Sequence, residues 1–202
     1  GLFLFLNLKP FEVRNFNTVK GEWRSSDAWL LDRDGEPLSR IRIDKERRRG
    51  DWVALQDVSP ALVEAMLAAE DRRFPSHGGV DWPGMLGALW ETGSGGRRGG
   101  STVTMQLAAW LHPQELDRSG RRDFWQKWLQ MRQAIAMEKR WRKDQLLEAW
   151  LNLSAFRGEL EGIDAASRAL FNKRPSGLDR AESALLAALL RAPNASASRV
   201  AR

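Results

Sequence analysis

The chain of 202 residues contains no cysteine, which excludes disulfides, thiolate nucleophiles and sulfur-ligated zinc together. Tyrosine is also absent, against ten tryptophans. No apolar run approaches the ~20 residues that cross a bilayer as a helix. The nearest, GLFLFLNL at the N-terminus, lacks the charged leader of a signal peptide and reads as a first strand, a frayed end or the stub of a membrane anchor. No repeat appears at solenoid periods, no Gly-x-x-x-x-Gly-Lys-Ser/Thr loop marks a nucleotide site, and no RNA- or DNA-binding signature is present.

What is present describes a folded, basic protein. Hydrophobic residues make up 43% and charged residues 29%, enough for one substantial core but not for two full domains. A formal charge of +6 draws anions to the surface: nucleic acid, acidic lipid headgroups or a phosphorylated substrate. From Ala28 to Ile43, two β-prone runs flank Asp34-Gly35 and predict a hairpin. Beyond Ser59 the pattern turns helical. Ser59-Pro60 starts a helix that runs to about Glu70, and a second begins at Asp81 and continues through Leu89. GSGGRRGG, residues 93–100, reads as a mobile loop, and Ser101 as the cap of the helix behind it. A flexible connection at 112–122 leads to helices over 123–141, 143–153, 162–171 and 179–191. Asp179 and Glu182 stand in capping-box positions, and Pro193 is the stop.

Two stretches carry candidate chemistry. In AAEDRRFPSHGGVDW, Glu70 ends an apolar helix beside Asp71, Arg72 and Arg73. Burial raises such a carboxylate's pKa while the cations lower it, the tension a general base works under. Taken alone, the same residues make a solvated helix end and His77 a loop histidine. In GGSTVTMQLA, glycines lead into a Ser/Thr-capped helix start, whose N–H groups and dipole favour a phosphate. Taken alone, this is a capped helix after a linker.

These stretches, followed by RKDQLLEAWLNL, GIDAASRALFNK and LDRAESALLAALLRAP, resemble in order and spacing the successive motifs of glycosyltransferase family 51, the peptidoglycan glycosyltransferases, over about residues 29–193. LLDRDGEPL and Met105 look most like the penicillin-binding protein 1C subgroup. The resemblance implies a mainly α fold with a small N-terminal β hairpin, lysozyme-like and two-lobed, with a mobile membrane-facing jaw at about 92–128. It implies that Glu70 is the general base toward the 4-hydroxyl of the acceptor lipid II sugar, which attacks the anomeric carbon of the donor glycan and displaces its polyprenyl diphosphate with inversion. It also implies substrate contacts by Asp71, Phe74, His77, Ser101, Thr102, Gln106, Lys127, Arg142, Lys143, Asn152 and Lys173. Glu148 belongs to the same motifs and reads equally as a helix ion-pair partner.

The chain departs from the family at two positions. Ala109 replaces a lysine, so the contact to the diphosphate falls to Arg97, Arg98 or Lys127. Gln130 stands where a second catalytic carboxylate is usual; an amide neither donates a proton as an acid nor brings charge to a metal. The resemblance leaves no certain cofactor, with a divalent cation (Mg or Mn) at the diphosphate as the candidate. Trp110, Leu111, Phe124, Trp125 and Trp128 read either as core or as an interfacial jaw surface. The partners implied are lipid II, the growing glycan strand and the membrane surface, at the periplasmic face of the bacterial inner membrane, with no nucleic acid. Residues 1–28 read as an N-terminal segment and 29–202 as the transferase domain. No Ser-x-x-Lys signature of a transpeptidase follows. A lysozyme-like hydrolase is the competing enzyme reading, a lipid II-binding domain with impaired catalysis is another, and a basic binding module the non-enzymatic one.

Overall fold

The structure, a computed structural model, describes residues 11–93, 100–112 and 124–192. Among these the order is α1 (Phe16–Glu22), β1 (Asp27–Leu31), β2 (Pro37–Arg42), β3 (Arg48–Arg49), α2 (Pro60–Glu70), α3 (Trp82–Gly93), α4 (Val103–Leu111), α5 (Phe124–Glu138), α6 (Lys143–Leu153), β4 (Leu160–Glu161), α7 (Ile163–Phe171) and α8 (Arg180–Arg191). The fold is mainly α with a small hairpin, as the sequence implies. Residues 94–99 and 113–123 lie outside the described set, so part of the expected jaw, with Arg97 and Arg98, does too, as does the stop at Pro193.

The hairpin pairs Trp29 with Arg40 and Leu30 with Ser39, with a register shift at Leu31. Asp32 Oδ1 accepts the N–H groups of Asp34 and Glu36, and Gly35 takes φ 85°, so the turn is wider than the Asp-Gly pair alone suggests. A helix before the hairpin was not foreseen. Asn15 caps α1 by accepting the Asn17 N–H, and Phe16 packs edge-on against Trp52 and Trp141, so this short helix is held by tertiary contacts rather than by length.

One core joins α2, α4, α6, α7 and α8 through Leu62, Met66, Leu107, Trp150, Ile163 and Leu186, all fully buried. Each contributes about 1.5–3 kcal/mol relative to exposure. A smaller cluster of Val80, Met105, Met131 and Ala134 closes the space between the His77–Val80 turn, α4 and α5. Packing of α2 on α8 and of α4 on α5 and α6 sets the walls of the cleft.

Two expected caps differ. The Ser59 hydroxyl donates to the Leu178 carbonyl, 2.9 Å away, and ties α2 to the α7–α8 connection instead of capping its own helix. Thr102, not Ser101, caps α4, accepting the Met105 N–H at 3.1 Å. The helix expected over 123–141 ends at Glu138, with a turn through Lys139 and Arg140, and the one expected to stop near Leu89 runs on to Gly93. The Asp179–Glu182 capping box forms as predicted.

Candidate active site

α2 ends because Asp71 leaves helical geometry, at φ −157° and ψ 75°. This leaves Glu70 as the last helical residue, with its side chain 15% exposed, on the wall of an open cleft of about 780 Å³. Gln106, on the first turns of α4, donates from Nε2 to Glu70 Oε2 at 2.8 Å, while its own Oε1 accepts from Trp150 Nε1 at 3.1 Å. The amide is thus fixed from behind by a buried indole and holds the carboxylate toward the cleft. Arg191, the last residue of α8, stands 3.7 Å from the other oxygen of Glu70.

Asp71, largely buried, reaches from the cleft wall to the start of α4. Its Oδ2 accepts the Val103 N–H at 3.0 Å, a carboxylate at the positive end of α4. His77 Nε2 sits 2.9 Å from the same oxygen, and His77 Nδ1 accepts the Gly79 N–H at 3.2 Å, which assigns the donated proton to Nε2. The Thr102 hydroxyl donates to the Gly79 carbonyl at 2.6 Å. Gly79 is required here: at φ +97°, a Cβ would lie 2.7 Å from the Ala134 backbone. Phe74 is buried, with the Lys143 ammonium 4.3 Å from its ring centre, and that ammonium donates to the His77 carbonyl and to Glu138. Phe74, His77 and Lys143 therefore brace the loop that presents Glu70.

At the start of α4 the N–H groups of Val103 and Met105 are already taken by Asp71 and Thr102, so the helix end is less open to an anion than its sequence suggests. Positive charge is nevertheless at hand. Lys127 Nζ lies 2.5 Å from the Ser101 hydroxyl and 3.3 Å from Gln130 Oε1, while Gln130 Nε2 donates to the Met105 carbonyl at 2.7 Å. Gln130 thus anchors α5 to α4 and helps aim Lys127 at Ser101.

Of the residues singled out from sequence, Glu70, Asp71, Ser101, Thr102 and Gln106 line the cleft. Lys127 and Gln130 stand directly behind Ser101 and Met105. Three others lie elsewhere. Arg142 is exposed and pairs with Asp144, and Lys173 pairs with Glu182 on the surface. Asn152 is buried and holds the Val53 backbone through both its amide oxygen and its amide nitrogen. Glu148 accepts from Lys20, Trp52 and the Leu55 N–H. Burial would push its carboxyl up, but these hydrogen bonds outweigh it and hold it below the usual glutamate range. Its place is the core.

Sequence reasoning placed Arg73 beside Glu70 but missed its pairing with Asp81 and the approach of Arg191. On one side is Arg191; on the other Arg73 holds Asp81 with two bonds, at 2.8 and 3.0 Å. Burial pushes the Asp81 carboxyl up, yet the Gly84 N–H and the Arg73 guanidinium outweigh it and keep Asp81 below the usual aspartate range. Arg191 lay within the motif LDRAESALLAALLRAP, but nothing in the sequence tied it to Glu70. Among the described residues no cluster of three or more His, Asp or Glu side chains suits a metal ion. The Gln130 amide, between the Met105 carbonyl and the Lys127 ammonium, is a poor ligand for one.

The sequence model of a family described as transglycosylase matches residues 34–201. The chain is 37% identical over 147 residues to the biosynthetic peptidoglycan transglycosylase of Mannheimia succiniciproducens, covering 71% of this chain and 57% of that protein. It is 37% identical over 167 residues to the protein of that name from Rhodospirillum centenum, 79% of this chain and 68% of the relative. Against penicillin-binding protein 1C of Escherichia coli it is 38% identical over 171 residues, 82% of this chain but 21% of that protein. The chain thus spans little more than half the length of the Mannheimia relative, and on the extent of these matches it belongs to the transglycosylase family.

Proposed function

We propose that the chain polymerises lipid II, transferring a glycan from its polyprenyl diphosphate to the 4-hydroxyl of an acceptor saccharide. The observation that carries this reading is the hydrogen bond from Gln106 to Glu70, which sets a carboxylate on the wall of a cleft that Ser101, the partner of Lys127, also lines and that is large enough for sugars. In the reaction, Glu70 takes the acceptor's hydroxyl proton as the oxygen bonds to the donor's anomeric carbon. The bond from that carbon to the diphosphate oxygen breaks, its electron pair leaves with the diphosphate, and configuration inverts to a β-1,4 link. A diphosphate leaves as a stable anion, so Gln130 need not act as an acid. Stabilisation of the departing charge falls to Lys127 and the start of α4, with Lys127 in the role that a lysine at position 109 would fill.

A divalent cation enters this reading only as a counter-ion carried by the diphosphate, because Gln130 brings no charge for it. The Trp125–Trp128 pair, stacked at 5.0 Å with Trp125 44% exposed, suits contact with a membrane interface at the periplasmic face, where such a lipid substrate resides. Among the described residues no helix is long and apolar enough to cross a membrane.

Product analysis separates this from the hydrolase reading. Incubation with lipid II should yield glycan strands, and preformed peptidoglycan should stay intact. Cleavage of the polymer without any synthesis would overturn the proposal in favour of a lysozyme-like enzyme.

A further inference from the structure

A second groove, of about 350 Å³, lies between the chain's entry at Phe11–Val13 and the C-terminal half of α5, and shares no lining residue with the cleft. Its floor is apolar, made by Phe11, Val13, Ile135 and Ala136. Its rim is cationic: Arg132, Lys139 and Arg140 line it, and among the described residues no carboxylate does. Glu138, next in the chain, turns away to bind Thr104 and Lys143. Lys139 and Arg140 are exposed and make no ion pair among the described residues.

Arg132 is the unusual member. Its guanidinium is flanked by the rings of Phe11 and Trp128, 5.1 and 4.8 Å from their centres, and its buried Nη1 meets no hydrogen-bond partner. A charged donor left buried and unpaired is costly to a folded protein, so the position favours an anionic oxygen. A free phosphate would satisfy the nitrogen but make no use of the apolar floor. A phospholipid satisfies both, with its phosphate on the cations and its glycerol and first methylenes on Val13 and Ile135.

We infer that this groove, whose lining residue Phe11 follows the apolar stretch GLFLFLNL in the sequence, holds the headgroup of an anionic phospholipid. The site is separate from substrate binding, and it makes the protein's seat on the membrane depend on lipid charge.

Flotation of the full chain with vesicles of phosphatidylcholine, with and without phosphatidylglycerol, tests it. The wild type should prefer the anionic vesicles. Lys139→Ser with Arg140→Ser, both on exposed positions, should weaken that binding roughly fivefold per cation removed, with binding to phosphatidylcholine unchanged. Arg132→Met, which keeps the stacking volume, should cost a similar factor, and thermal melting should show all variants folded. Three results would overturn the inference. The wild type could show no preference for anionic vesicles, or the variants could bind them as the wild type does. Lastly, inorganic phosphate could abolish the preference at an ionic strength where chloride does not, which would assign the site to a free anion.

Discussion

Glu70 is placed by one hydrogen bond and one nearby cation, and each can be removed singly. Gln106→Ala deletes the donor at 2.8 Å while leaving the carboxylate. We expect kcat to fall on the order of tenfold to a hundredfold, with KM little changed and stability within about 1 kcal/mol, because orientation rather than binding is lost. Kinetics on lipid II with a parallel urea melt checks this. Lys127→Ala should lower kcat/KM by on the order of a hundredfold, the cost of removing one group that stabilises a departing anion. The end of α2 at Glu70 and the start of α4 were legible because helical periodicity acts over a few residues. Arg191 was not, because its approach to Glu70 depends on α8 packing against α2 across more than a hundred residues of chain.

The short connection from α2 to α3 acts as a unit. Asp71, His77, Gly79 and Thr102 form a closed chain of hydrogen bonds that locks the end of α2 to the start of α4. Thr102→Val keeps the shape but removes the cap on Met105 and the bond to the Gly79 carbonyl. It should destabilise the fold by about 1–2 kcal/mol in urea titration, with a larger loss of activity than of stability. The helices themselves were readable from their apolar spacing. What failed was the local assignment of caps at Ser59 and Ser101, since both hydroxyls serve distant partners, the Leu178 carbonyl and the Lys127 ammonium. The seven-residue α1 escaped notice because it is too short for periodicity to register, and its stability comes from Phe16 among Trp52 and Trp141.

Across the whole molecule, Glu148 joins three parts of the chain, holding Lys20 of α1 and the Trp52–Leu55 segment onto α6. Its folded pKa lies below the unfolded glutamate value of about 4.3, so its contribution is complete above that pH and is lost as pH falls through the folded value. Thermal melts should show Glu148→Gln less stable than the wild type at neutral pH, with the gap narrowing in acid below about pH 4. The same network ties the segment before the hairpin to the core that Val13 and Val19 enter, a segment that the sequence reading set apart within residues 1–28. The cleft, the cations around it and the family match support the proposal that the folded chain builds glycan from lipid II through Glu70. The most direct test is a lipid II polymerisation assay on the wild type and Glu70→Gln, with melting curves to show that both fold. The account predicts polymer from the wild type and none from a stably folded Glu70→Gln. Polymer from Glu70→Gln at the wild-type rate would contradict it.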